Sequence, residues 1–155
     1  RQPDSSHRGD CPICCLPMPL DRSKSTIMTC CSIVICDGCE HANQMREIEG
    51  KLQQTCPFCR KPTPSTVEEG DKQRMKRVEA NDPVSMRNEG VDHYDKGDYS
   101  SAFECFTKSA ELGDAEAHHS LALLYHKGHG VGKDEGKEMY HLKEAAIGGH
   151  PTARF

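Results

Sequence analysis

Nine of the ten cysteines fall between Cys11 and Cys59, as CPIC (Cys11, Cys14), the vicinal pair Cys30 and Cys31, CDGC (Cys36, Cys39) and CPFC (Cys56, Cys59), with Cys15 beside the first pair. Two thiolates three residues apart sit on one tight loop and can hold a single zinc ion from adjacent corners of its tetrahedron. Proline follows the first cysteine of CPIC and CPFC, where its fixed φ presets that loop. A disulfide framework is the competing use of an even number of cysteines, but reduced thiols in an intracellular compartment, cytoplasmic or nuclear, suit paired knuckles better. A redox role for one CxxC lacks the βαβ pattern it would need. No nucleophile–base pair, phosphate loop or open metal site is visible, so any zinc is expected to be structural and no residue is assigned a catalytic role.

The elements that must position these thiols are small. Residues between the knuckles are largely polar, so no helix or strand period supplies a core, and the segment is expected to fold around metal. Residues 27–36 read as a short β-ribbon carrying Ile27, Met28, Ile33, Val34 and Ile35. The second CxxC opens a helix in which Met45, Ile48 and Leu52 recur at three and four residues, with Gly50 weakening its end. Residues 1–10, which include His7, are a polar lead-in expected to be disordered.

Knuckle, loop, ribbon, knuckle, helix and knuckle, with CPIC first and CPFCR last, resemble a RING-type zinc finger over residues 11–62. In that family the first and third pairs share one zinc ion and the second and fourth share the other. The resemblance therefore implies two ions: Cys11, Cys14, Cys36 and Cys39 in one site, Cys56 and Cys59 in half of the other. The remaining half departs from the family, because Ile33 stands where a ligating histidine is usual and cannot bind metal. Cys30 with Cys31 is the preferred replacement, although neighbouring strand residues face opposite ways and the chain must turn for both to reach one ion. His41 competes for the fourth position, and a treble-clef or PHD-like finger with another pairing order is the alternative to the whole scheme. The resemblance further implies a ubiquitin ligase that orients a ubiquitin-charged conjugating enzyme without a covalent intermediate. The conjugating enzyme would bind on Ile13, Met45, Ile48, Pro57 and Phe58, and Arg60 would touch both it and ubiquitin.

Pro62, Pro64, Ser65 and Thr66 break the chain, and residues 63–82 form a charged linker. Its Lys72, Arg74, Lys76 and Arg77 could mark a nucleic-acid patch, but Glu68, Glu69, Asp71 and Glu79 dilute it into a solvated connecting helix. Net charge is −4, and from residue 83 onward twelve acidic side chains face eight Lys/Arg, which argues against a nucleic-acid partner. No apolar run approaches a membrane span.

Residues 83–155 contain an internal repeat. Tyr94-Asp95-Lys96-Gly97 aligns with Tyr125-His126-Lys127-Gly128 at an offset of 31 and Ala110–Gly113 with Ala146–Gly149 at 36, leaving an inserted loop over 129–133. Such periods mean stacked helix pairs. Ala102, Phe103, Phe106 and Ala110 line one face, and Met139, Leu142, Ala145 and Ala146 the equivalent face. The pattern from Leu121-Ala122 through Tyr125, Gly128, Gly130-Val131 and Asp134 to Glu144-Ala145-Ala146 and Gly149-His150 resembles a Sel-one-like repeat. The unit before it is closer to a tetratricopeptide repeat. Ala122 replaces a usual glycine. The fold class expected is a small zinc-stabilised α+β RING-like domain followed by all-α hairpin repeats, incomplete at Phe155. These repeats would recruit a protein substrate or partner. A zinc-stabilised interaction scaffold without ligase activity is the second functional reading. His118, His119, His126, His129, His141 and His150 are expected at the surface.

Overall fold

The two proline-bearing knuckles build one loop twice. In the computed structural model, which describes residues 8–154, the Cys15 amide donates to the Cys11 carbonyl (2.9 Å) and the Cys11 amide to the Leu16 carbonyl (2.8 Å). Arg60 and Cys56 repeat this, the first donating to the Cys56 carbonyl (2.9 Å) and the second to the Lys61 carbonyl (2.8 Å). Bridges between Asp10 and Pro17 and between Thr55 and Pro62 close the loops from behind. Cys15 and Arg60 take the left-handed position of their turns, with φ of 56° and 60°. Of the lead-in expected over residues 1–10, residues 1–7, His7 among them, lie outside the described residues. Arg8 donates to the Pro19 carbonyl (2.7 Å) and to Ser25 Oγ (3.0 Å).

Between the knuckles, β1 (Ser25–Ile27) pairs antiparallel with β2 (Val34–Cys36), Thr26 opposite Ile35. The short ribbon expected over residues 27–36 is present and begins at Ser25, its strands joined by a turn in which Cys31 and Ser32 both donate to the Met28 carbonyl. Helix α1 (Asp37–Glu49) starts immediately after Cys36, with Asp37 and Glu40 in its first turn complementing the helix dipole, and Gly50 ends it. The core is small and rich in sulfur: Cys11, Met18, Met28, Cys30, Ile35 and Cys56 are buried, with Ile33 and Val34 packed against them.

Helix α2 (Val67–Glu79) lies within the stretch read as a charged linker and buries no side chain. It is tied down by polar contacts, the Thr29 hydroxyl donating to Gln73 Oε1 (2.9 Å) and Gln73 Nε2 to the Pro62 carbonyl (3.4 Å). Contacts divide the chain into two units between Arg77 and Val78.

The second unit is four helices of equal length, α3 (Pro83–Asp95), α4 (Tyr99–Glu111), α5 (Ala115–Lys127) and α6 (Glu135–Ile147), followed by a 3-10 turn, Pro151–Arg154. Each α-helix opens on an aspartate: Asp82, Asp98, Asp114 and Asp134 accept from the amides of Ser85, Ser101, Glu116 and Lys137. Such caps satisfy donors that the helix itself leaves open, for about 1 kcal/mol each. Glycines with positive φ, Gly97, Gly113, Gly128 and Gly149, reverse the chain after the helices. The core is Ala102, Phe106, Ala110, Ala117, Leu121 and Leu124. Gly90 of α3 faces the Phe106 ring, where an added Cβ would come within 2.7 Å, so α3 and α4 approach at a glycine.

Candidate metal centres

The eight cysteines of the paired scheme gather into two clusters, Cys11, Cys14, Cys36 and Cys39 in one and Cys30, Cys31, Cys56 and Cys59 in the other. Within each, the four Sγ atoms lie within 4.8 Å of one another. Sulfur–sulfur distances are 3.8 Å for Cys11–Cys39 and Cys14–Cys36, 3.3 Å for Cys30–Cys59 and 3.9 Å for Cys31–Cys56. A tetrahedron with zinc–sulfur arms of about 2.3 Å has edges of about 3.8 Å, so the donor sets fit that ion.

The turn after Met28 resolves the geometry of the vicinal pair. Ser32 takes φ of 58°, and the backbone leaves extended geometry at the point where Cys30 and Cys31 must face the same way. Ile33 packs against the sulfur-rich core. His41 is exposed on α1 and belongs to neither cluster. Cys15 is exposed and Cys105 half-buried on α4, each outside both sets.

Charge explains why such clusters call for a dication. Burial works to raise the Cys11 thiol, but the backbone amides of Cys36, Cys14 and Ile13 outweigh it and bring it down to about 6. Burial pushes Cys36 and Cys39 up, and hydrogen bonding to their neighbours pushes Cys39 further. In the second cluster burial and hydrogen bonds to Cys59 and Cys56 raise Cys30, whereas Cys59, despite burial, is lowered by the Lys61 amide and neighbouring thiols. Cys11 and Cys59 thus ionise more readily than Cys36, Cys39, Cys30 and Cys31 beside them, which resist negative charge, and a bound cation would remove that resistance.

The residues expected to meet a partner lie around these clusters. Ile13, Met45, Ile48 and Phe58 are exposed, at 39%, 41%, 63% and 48%, and Pro57 is half-buried. A cleft between α1 and the last knuckle is lined by Asn43, Arg46, Thr55, Cys56, Pro57 and Arg60. The Met45–Ile48 stripe therefore does not face the core. The residue of α1 that is buried is Glu47, which accepts from the Thr55 amide (3.0 Å) and hydroxyl (2.9 Å). Sequence reasoning missed it because a lone glutamate on an exposed-looking helix carries no pattern.

Of the histidines expected at the surface, His126 is exposed, His118, His119, His129 and His141 are half-buried, and His150 departs from the expectation. His150 is buried, with Nε2 3.6 Å from Glu116 and its ring stacked on His119. His118 Nδ1 lies 3.0 Å from His141 Nδ1, joining α5 to α6, and His141 stacks on Tyr125.

No protein-family model matches the chain, and no curated protein does. Among solved structures it is similar to a Sel1 repeat protein from Oxalobacter formigenes, at 30% identity and a TM-score of 0.52 over 59% of this chain and 38% of that one. The helical hairpins have the Sel1-like repeat fold. The chain is also similar, at 23% identity and a TM-score of 0.48 over 71% of its length and 22% of the other's, to a protective antigen of uropathogenic Escherichia coli strains displaying that fold. It spans well under half the length of either protein. Within the Sel1-like hairpin α5–α6, Ala122 is buried where glycine is usual, and Gly128 takes φ of 74° to close α5. Among the described residues no helix is long and apolar enough to cross a membrane.

Proposed function

We propose that residues 11–62 form a RING-type finger holding two structural zinc ions, Cys11, Cys14, Cys36 and Cys39 in one site and Cys30, Cys31, Cys56 and Cys59 in the other. Zinc, when bound, supplies the cross-links that a core this small cannot. We further propose that the finger is a ubiquitin ligase and that the Sel1-like repeats recruit its protein substrate or partner in the cytoplasm or nucleus. The observation that carries this reading is the exposure of Ile13, Met45, Ile48 and Phe58 around a sulfur-rich core. Apolar side chains held at the surface of a rigid frame bind a partner without the cost of ordering the backbone that carries them. Arg60, fixed in its turn at φ 60°, offers a planar donor fork beside that surface.

The ligase reading predicts that zinc-loaded full chain discharges ubiquitin from at least one charged conjugating enzyme. Ile13→Ala should weaken binding of that enzyme, and Arg60→Ala should retain most binding while slowing discharge, since the guanidinium acts on the closed complex. Ile33, in place of the usual histidine, favours the second reading, a zinc-stabilised scaffold without ligase activity. No discharge above background across a broad enzyme panel would establish that reading in place of the first.

A further inference from the structure

The first turn of helix α1 is held by Cys39 in the first cluster and by Glu40, which accepts from the Thr26 hydroxyl; beyond that turn the helix is attached to the finger by its polar face. Glu47 is its buried residue, at 2% exposure, while Met45 and Ile48 on either side of it point to the surface. One turn earlier, Asn43 Nδ2 donates to the Thr55 carbonyl (3.0 Å), and Glu47 takes both the Thr55 amide and hydroxyl. Two side chains four residues apart on α1 thus grip the amide, carbonyl and hydroxyl of one residue. Thr55 directly precedes Cys56, Pro57 and Phe58. The same residue therefore ties the helix that carries Met45 and Ile48 to the knuckle that carries Pro57 and Phe58.

We propose that Glu47, with Asn43, is a positioning residue for the conjugating-enzyme surface, a role that rests on the RING reading above. Apolar packing of α1 against the finger would have consumed the stripe that the partner needs. A buried carboxylate accepting two donors holds the helix instead and leaves the stripe free. Charge-assisted bonds of this kind are directional and fix separation and rotation together, where apolar contact tolerates sliding. The four cysteines hold the last knuckle itself, so the clamp sets the spacing between helix and knuckle and not the metal site. Arg46 does not replace it: its Nη2 is 3.8 Å from Glu47 Oε1 and 3.0 Å from Asn43 Oδ1, bracing the clamp from the solvent side.

The test uses zinc-loaded full chain with the substitutions Glu47→Ala, Glu47→Gln and Thr55→Val, and the charged conjugating enzyme that the wild type discharges. Glu47→Ala should keep two zinc ions per chain, speed hydrogen exchange at the Thr55 amide, and weaken enzyme binding about tenfold, with discharge at saturating enzyme changed by less than about twofold. Glu47→Gln, whose carbonyl can accept the same two bonds, should restore binding. Thr55→Val removes the hydroxyl bond alone and should fall between. Binding by Glu47→Ala equal to wild type, loss of zinc in that variant, or a failure of Glu47→Gln to rescue would each overturn the positioning role. If wild-type chain binds no charged enzyme, the RING reading itself falls, and the exchange rate of Thr55 separates that result from a clamp that does not form.

Discussion

Cys30 and Cys31 show how far a single backbone angle decides chemistry. Adjacent thiols in a strand would face opposite sides; the turn over Met28–Ser32, with Ser32 at φ 58°, delivers both into the second cluster. Serine at position 30 keeps that turn but replaces a soft thiolate with a hydroxyl that zinc binds poorly. Cys30→Ser should therefore lower zinc content from two ions toward one, with the first site retained, as read by metal release under graded chelator. Unchanged content and affinity would mean that another group completes the second site. The knuckles were legible through spacing, because CxxC geometry is local, while their grouping into two sites followed from the resemblance to a RING-type finger. The sequence could not show the turn that makes the vicinal pair usable, since Ser32 is not a residue that announces a left-handed angle.

Helices and hairpins were legible where period and punctuation agreed. Paired Gly-Asp junctions at Gly97-Asp98 and Gly113-Asp114, with Asp82 and Asp134, set the helix starts. What lay beyond the pattern was which partner each side chain meets: Met139 sits on an expected core face yet is exposed, and His118 and His141, expected at the surface, join α5 to α6. The α5–α6 pairing carries a prediction of its own. Two ring nitrogens 3.0 Å apart admit one proton between them, donated by one imidazole and accepted by the other. Burial lowers His141 first, then the His118 charge and Lys137, with Glu144 opposing them. A histidine whose folded value is depressed favours the fold above its unfolded value near 6.5, and that advantage is lost as pH falls through the folded value. Lowering the pH from 7 toward 5 should therefore reduce amide protection factors across α5 and α6, and His118→Gln, which keeps a hydrogen-bonding side chain without a second charge, should lessen the change. Titration of His141 by NMR at the ordinary imidazole value would sink this account.

The whole chain joins two kinds of core. In the first unit the buried set is mostly thiol and thioether around Ile35, and in the second it is alanine, leucine and Phe106 with no metal-binding cluster among the described residues. With zinc bound as proposed, a core of the first kind would owe its stability to cross-links, and one of the second owes it to apolar area. The two should therefore fail to different insults. Strong chelator should unfold the finger, seen as loss of amide protection over residues 11–62, while the helical transition persists. Phe106→Ala should do the reverse. Its ring is 3% exposed, lies against Gly90 and belongs to the cluster with Ala110, Ala117, Leu121 and Leu124, so truncation leaves a cavity in the middle of that core. The expected loss is about 3 kcal/mol from the helical unit, read by denaturant unfolding, with zinc content still at two ions per chain. A Phe106→Ala chain that releases its zinc, or a chelated chain whose helices melt together with the finger, would show that the units fold as one and that the division at Arg77 does not separate their stabilities.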